Sequence, residues 1–114
     1  MKKYAAIICA DDPQCPSLAE ILAGLEEEGV PGEVITASVI AGANGIAVAG
    51  GCDPLQMAKH ASAESAFGCG IGLCRGKAAL FAGGSPILAP GDAAPRSAGK
   101  NAALYIKKER FELA

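Results

Sequence analysis

The sequence predicts one α/β domain over residues 1–114, with a mostly parallel sheet covered by helices and at least one antiparallel strand. Two observations carry this prediction. The length of 114 residues suffices for one hydrophobic core and is too short for two. Short apolar runs alternate with segments of helical periodicity in the order β-α-β-loop-α-β-β-β-α, which is typical of parallel strands joined by helices.

The first strand is predicted at residues 4–10, a continuous apolar run that stops at Asp11, Asp12 and Pro13. An uninterrupted run of this kind is typical of a central strand that is buried on both faces. Two lysines before an apolar run also resemble the start of a signal peptide. We expect a strand instead, because the run is short and meets acidic residues rather than a small-residue cleavage site.

The first helix is predicted to begin beside Ser17, which with Glu20 three residues later fits a capping box. Gly29 is a natural C-terminal stop, and Pro31 follows just beyond it. The apolar side chains recur at i, i+3, i+4 and i+7, so they form one stripe along the helix. They are Leu18, Ile21, Leu22 and Leu25.

The middle of the chain is predicted to hold a strand at residues 33–37 and a helix over about 54–65. Asp53 is the expected N-cap of that helix, and the proline that follows suits its first turn. The glycine- and alanine-rich stretch at 41–51 favours a loop or a hairpin, in which residues 46–48 could form a short strand.

The second half is predicted to hold an antiparallel hairpin of residues 67–74 and 77–82, because the link between them is short and contains a glycine. A short strand at 85–89 follows two glycines. The last helix is predicted over about 98–108, with Ser97 as its cap.

Net charge and hydropathy exclude several kinds of partner. The net charge is −2, so no basic field is present to hold nucleic acid or an anionic membrane surface. No apolar segment approaches the roughly 18 residues of a membrane span. We therefore expect no nucleic-acid partner and no membrane partner.

The glycines at 68–72 admit two interpretations. A dinucleotide-binding fingerprint places its glycines at a turn from a strand into a helix, where the helix N-terminus faces the pyrophosphate. Here they alternate within a predicted strand that another strand follows. This favours the second interpretation, in which the glycines let a helix pack closely on the sheet.

The five cysteines show no Cys-x-x-Cys pair, and the single histidine, His60, lies on a predicted helix away from them. A structural metal is therefore the weaker hypothesis, and buried, reduced thiols in the cytosol are the stronger one. His60 could act as a general base, but a surface or packing role is the commoner one for a lone helical histidine. The cysteines are Cys9, Cys15, Cys52, Cys69 and Cys74.

Three adjacent carboxylates, Glu26, Glu27 and Glu28, close the first predicted helix. They face the negative end of the helix macrodipole, which costs a few tenths to about 1 kcal/mol each. At about 100° per residue, Glu27 points nearly opposite the apolar stripe, whereas Glu26 and Glu28 lie on either side of that stripe. Glu27 is thus the carboxylate best placed for a cation or a partner, although on physical grounds alone a solvated polar face is the slightly favoured explanation of the triplet.

Four segments of the chain resemble the small subunit of glycerol/diol dehydratase reactivating factors. They are residues 19–31, 68–73, 85–88 and 99–103, the last together with Lys107. They also resemble the medium subunit of the adenosylcobalamin-dependent dehydratases, a related family. The medium subunit carries long extra segments that this chain lacks, so its length favours the reactivating factor. The stretch at 41–53 departs from both families and resembles an insertion.

This resemblance implies a three-layer α/β/α sandwich, similar to anticodon-binding domains, that has no catalytic site of its own. A large partner subunit would bind ATP and ADP and hydrolyse ATP. The pair would act as a chaperone on the B12-dependent dehydratase, and a swap of subunits would release its damaged cobalamin. Glu27 would ligate a magnesium ion shared with the large subunit, with Glu26 and Glu28 at the same interface. A cytoplasmic location is expected, in association with a bacterial microcompartment where one exists.

Two rival hypotheses remain at this point. The chain could be a medium-subunit-like structural component of the dehydratase itself. Alternatively, it could be an unrelated small-molecule or nucleotide-binding domain that uses its glycine-rich strands.

Overall fold

The computed structural model describes residues 4–12, 14–36, 53–89, 91 and 94–113, and of residues 36 and 108–113 the backbone alone. The stretch at 41–51, with the short strand predicted at 46–48, lies outside this part of the chain. The described residues form five strands and three helices. These are β1 (Ala6–Ala10), α1 (Pro16–Glu27), β2 (Gly32–Thr36), α2 (Pro54–Glu64), β3 (Cys69–Cys74), β4 (Lys77–Ala82), β5 (Ser85–Leu88) and α3 (Pro95–Leu113).

The five strands form one sheet in the order β2-β1-β3-β4-β5. β1 pairs in parallel with β2 and with β3, whereas β3–β4 and β4–β5 are antiparallel pairs. β4 therefore runs against the other four strands. The predicted sheet, mostly parallel with at least one antiparallel strand, is confirmed.

The helices cover both faces of this sheet and give a three-layer α/β/α sandwich. Every residue of β1 is buried, and alternate side chains enter two separate cores. Ala6, Ile8 and Ala10 lie in the larger core, beneath α1 and α3. Ile7 and Cys9 lie in the smaller core, together with side chains of α2. A strand buried on both faces must be apolar at every position, which is why residues 6–10 carry no polar alternation. The strand is shorter than the predicted 4–10, and Tyr4 before it is exposed.

Helix α1 presents its predicted stripe to the larger core, where Leu18, Ile21 and Leu25 are buried. Its start differs from the prediction. The helix begins at Pro16, and Cys15 occupies the N-cap position without a side-chain cap. A proline suits the first helical position because its fixed φ is helical and its missing N–H would have no partner there. The predicted capping box at Ser17 is therefore wrong.

The other two helices also begin at prolines. α2 starts at Pro54, and Leu55 N donates to Asp53 Oδ1 over 3.0 Å, so the predicted cap is confirmed. α3 starts at Pro95, three residues before the predicted first residue, and Ser97 lies inside its first turn rather than at the cap. The signal that the prediction missed is again proline at the first helical position.

The β3–β4 hairpin matches its prediction. Cys74 pairs with Lys77, and two residues form the turn between them. Arg75 has φ 52° and Gly76 has φ 78°. Two positive φ angles at the centre of a two-residue loop are the geometry that matches the twist of the flanking strands.

The glycines of β3 allow α2 to lie against the sheet. A Cβ added to Gly70 would collide with the backbone of α2 at Ala58 and Ser62. One added to Gly72 would collide with the Pro54 carbonyl at the start of the same helix. The close-packing interpretation is confirmed, and α2 occupies the space that a nucleotide-binding loop would need.

The prediction of buried, reduced cysteines is confirmed only in part. Cys9, Cys15 and Cys69 carry free thiols. Burial raises the pKa of Cys69 to about 12, and burial followed by the charge of Asp11 raises the pKa of Cys9 to about 12. Cys74 is disulfide-bonded, which corrects the expectation of reduced thiols at this position. That expectation rested on the cell compartment, and compartment does not determine which sulfurs a fold brings together.

Candidate partner and metal site at the end of helix α1

The acidic triplet lies where α1 ends. Glu26 and Glu27 are its last residues and Glu28 is its C-cap. The chain turns away at Gly29, whose φ is 73°, and Val30 N donates back to the Leu25 carbonyl over 3.0 Å. The tight turn leaves all three carboxylates at the negative end of the helix, where each is unfavourable unless a cation compensates it.

Helix α3 supplies such cations because it crosses α1 at very short range. A Cβ added to Gly24 would collide with the Arg96 carbonyl, and one added to Gly99 would collide with the carbonyl of Ile21. The two backbones therefore touch with no side chain between them. This contact fixes the first turn of α3 beside the second half of α1.

Arg96 stands at this crossing and contacts two carboxylates of α1. Its Nε donates to Glu27 Oε1 over 3.1 Å, and its Nη1 lies 3.6 Å from Glu20 Oε1. The hydrogen bond from Arg96 to Glu27 and the charges of both glutamates raise the pKa of Arg96. A cation at the positive end of α3 and an anion at the negative end of α1 are each unfavourable alone, and their pairing offsets both effects.

The remaining two carboxylates of the triplet have different surroundings. Glu28 Oε1 accepts a hydrogen bond from Lys107 Nζ over 2.9 Å, and the Glu28 side chain is 19% exposed. The hydrogen bond from Lys107, and then its charge, lower the pKa of Glu28. Glu26 is exposed and makes no ion pair within the described part of the chain.

The structure thus qualifies the prediction made for Glu27. Its side chain is half exposed, as the helix phase predicts, but Arg96 already holds one of its oxygens. Sequence reasoning did not identify Arg96 or Glu20. Glycines at positions 24 and 99, inside two predicted helices, were the available signal, because paired helical glycines indicate a close crossing.

The residues at this site suit the role of one ligand to a hard cation that is shared with another molecule. Among the residues that the structure describes, no three His, Cys, Asp or Glu side chains lie together as a metal site. Glu27 nevertheless offers a half-exposed carboxylate at the surface. Magnesium binds oxygen ligands, usually takes one or two protein carboxylates and keeps several waters. A magnesium ion at Glu27 would complete its coordination with water and with groups from another molecule.

Other features of the structure lie away from the triplet. An apolar groove of about 490 Å³ is lined by Tyr4, Pro31, Phe67 and Ile106, and the Tyr4 and Phe67 rings meet edge to face with centroids 5.9 Å apart. His60 is half buried on α2. Within the described residues, no helix is long and apolar enough to cross a membrane.

Comparison with known proteins gives one family and two structures. The model of the dehydratase medium subunit family matches residues 5–112. A solved structure of diol dehydratase-reactivating factor complexed with ADP and Mg2+ matches with a TM-score of 0.67 and 22% identity, over 94% of this chain and 95% of that one. A glycerol dehydratase reactivase matches with a TM-score of 0.66 and 26% identity, over 93% and 94%. Comparison with curated protein sequences gives no match. These matches confirm the resemblance described above.

Proposed function

Because the chain belongs to the dehydratase medium subunit family, we propose that it is the small, non-catalytic subunit of a reactivating factor for an adenosylcobalamin-dependent glycerol or diol dehydratase. The observation that carries this proposal is the two-way coverage of the glycerol dehydratase reactivase chain, at 93% of this chain and 94% of that one. A match over nearly the whole of both chains leaves little room in the relative for an additional domain.

The family relationship supports a mechanism of subunit exchange. The family model describes the medium subunit of a dehydratase, and the similar folds are chains of reactivating factors. Two proteins with one fold can compete for one binding surface. We infer that the large subunit releases this chain, binds the dehydratase's medium subunit in its place, and so opens the enzyme for damaged cobalamin to leave.

ATP binding and hydrolysis belong to the large partner in this proposal. The diol dehydratase-reactivating factor was solved with ADP and Mg2+. In the chain described here, the glycine-rich strand β3 is covered by α2, so it offers no phosphate loop. The role of this chain toward the metal is to supply Glu27 as one ligand at the interface, with Glu26 and Glu28 beside it.

The hypothesis that the chain is a structural subunit of the dehydratase itself makes a different prediction. The chain would then co-purify with dehydratase subunits and bound cobalamin, rather than with an ATPase subunit. The near-complete coverage of reactivating-factor chains argues for the ATPase partner.

Reactivation is the direct test of the proposed function. The chain is co-expressed with its large ATPase subunit, and the purified complex is added with ATP, Mg2+ and fresh adenosylcobalamin to dehydratase inactivated by glycerol or cyanocobalamin. We expect activity to return with the complex and not with the large subunit alone. If the complex restores no activity, the proposed function is wrong.

The Glu27 assignment is tested separately by Glu27→Gln in the same complex. We expect affinity for the large subunit at saturating Mg2+ to fall roughly tenfold, because loss of a metal ligand should weaken the site at least as much as loss of an outer-shell partner. Glu64→Gln is the matched control, since Glu64 is an exposed carboxylate at the end of α2 on the opposite face. An unchanged affinity for the Glu27 variant across a magnesium titration would refute the assignment.

A further inference from the structure

We propose that Arg96 is an internal counter-ion that bridges Glu27 and Glu20 in the free chain and keeps only Glu20 when Glu27 binds a metal. This inference rests on the proposed function, in which Glu27 is a ligand of a shared magnesium ion. It concerns residues of this chain alone, and the two observations behind it are the Arg96–Glu27 and Arg96–Glu20 contacts.

The geometry places the guanidinium between two carboxylates, both of which it contacts. Gly24 lies four residues after Glu20 and three before Glu27, so the three share one side of α1. The Arg96 backbone is held against Gly24 by the helix crossing. A side chain anchored there reaches one carboxylate a turn before the glycine and another a turn after it, at 3.6 Å and 3.1 Å.

The contact with Glu27 is suited to being exchanged. The Arg96 and Glu27 side chains are 51% and 50% exposed, and ion pairs of such exposure are weak and screened by salt. A divalent cation at Glu27 would repel the guanidinium. Glu20 is close enough to keep Arg96 paired after it leaves Glu27, so the exchange does not leave a cation without a counter-charge.

The other cations of this surface face a different carboxylate. Lys107 is hydrogen-bonded to Glu28, and Lys100 acts on Glu28 through its charge. Within the described part of the chain, Arg96 is the cation that contacts Glu27. The Arg96 contact would therefore lower the affinity of Glu27 for free metal until a partner supplies the remaining ligands.

The test uses the isolated chain of 114 residues and Mn2+, a paramagnetic probe that accepts the same oxygen ligands as magnesium. Broadening of the backbone amide signals of residues 26–28 is followed by NMR during a Mn2+ titration at constant ionic strength. We expect Arg96→Gln to tighten the apparent Kd roughly two- to fivefold, the factor that corresponds to losing an exposed ion pair.

Two further variants make the proposal specific. Glu20→Gln removes the second carboxylate, so Arg96 should hold Glu27 more firmly and Mn2+ affinity should fall. Lys100→Gln is the charge control, because it removes a cation from the same helix without releasing Glu27. We expect its effect to be smaller than that of Arg96→Gln, and folding of each variant is checked by its amide spectrum.

Equal effects of Arg96→Gln and Lys100→Gln would overturn the proposal, since net charge alone would then explain both. Absence of broadening at residues 26–28 in every variant would also overturn it, because freeing Glu27 would then create no cation-binding carboxylate. If Arg96→Gln does not fold, an increased affinity in Glu20→Gln would be sufficient to refute it. These outcomes are measured on the isolated chain without dehydratase, so a failure of this inference is distinguishable from a failure of reactivation.

Discussion

Among the described residues, two contacts between elements are made by backbone against backbone, and they differ in what surrounds them. Gly70 and Gly72 of β3 admit α2, while Gly24 and Gly99 admit α3 against α1. The first contact lies between a helix and the buried centre of the sheet. The second lies between two helices on the outside, and its rim carries charged side chains.

This difference separates a structural role from an interaction role. At the first contact Ala58, Ala61 and Ser62 of α2 are buried, and both glycines lie in a strand buried along its whole length. The described residues at this contact carry no charge that a partner could bind. At the second contact the same close approach brings Glu20, Glu27 and Arg96 together at the surface, so the crossing positions a set of charges that another molecule can reach.

The largest effect is expected from Gly72→Ala. The added Cβ would meet the Pro54 carbonyl and lie 2.6 Å from Ala58 N, and backbone atoms cannot turn aside as a side chain can. Helix α2 would have to move off the sheet. We expect the free energy of unfolding to fall by about 3 kcal/mol and Tm by roughly 10 °C, measured by urea and thermal denaturation.

Gly32→Ala provides the control for this substitution. It makes the same change in the same sheet, but its nearest neighbours are the ends of the Leu25 and Leu22 side chains, at 2.7 Å and 3.2 Å. These can rotate away, so we expect a loss below about 1 kcal/mol. If the two variants lose the same free energy of unfolding, the backbone contact at Gly72 does not add to the cost of the substitution.

A smaller effect is expected from Gly24→Ala. Alanine favours a helix over glycine by about 1 kcal/mol, but its Cβ would collide with the Arg96 carbonyl and push α3 outward. We expect a net loss of about 1–2 kcal/mol, together with a change in the NMR signal of Arg96 Nε–H, which reports its bond to Glu27. A variant that is more stable than the parent chain would contradict the close crossing.

Most of the fold was predictable because its signals are local. The apolar run of β1, the stripe of α1, the Asp53 cap and the two-residue turn of the hairpin each lie within one short segment. The errors also have a local cause. Serine was taken as the N-cap near α1 and α3, whereas the prolines at positions 16 and 95 determine where these helices begin.

The site was predictable only in part, because half of it comes from the other helix. The helix phase of α1 identifies Glu27 as exposed, and that is the case. Its pairing with Arg96, 69 residues later in the chain, depends on where α3 crosses α1. That crossing is a tertiary contact of Gly24 with Arg96 and of Gly99 with Ile21, and the spacing of residues within either helix does not show which two helices meet.

The smallest effect is expected from Glu28→Gln, which removes the charge of the mostly buried carboxylate that is paired with Lys107. The hydrogen bond and charge of Lys107 lower the pKa of Glu28 in the folded chain, so the ionised carboxylate stabilises the fold above its unfolded pKa, near 4.5. That stabilisation is lost as the pH falls through the lower, folded pKa. We therefore expect the variant to be less stable than the parent chain at neutral pH and equally stable in strong acid. Urea denaturation from neutral pH to about pH 2 measures the difference. Glu26→Gln is the control, because it removes an exposed carboxylate that has no ion pair among the described residues, and it should not lower the stability at neutral pH. A difference between parent and Glu28→Gln that does not vary with pH would assign the effect to packing rather than to the charge on Glu28.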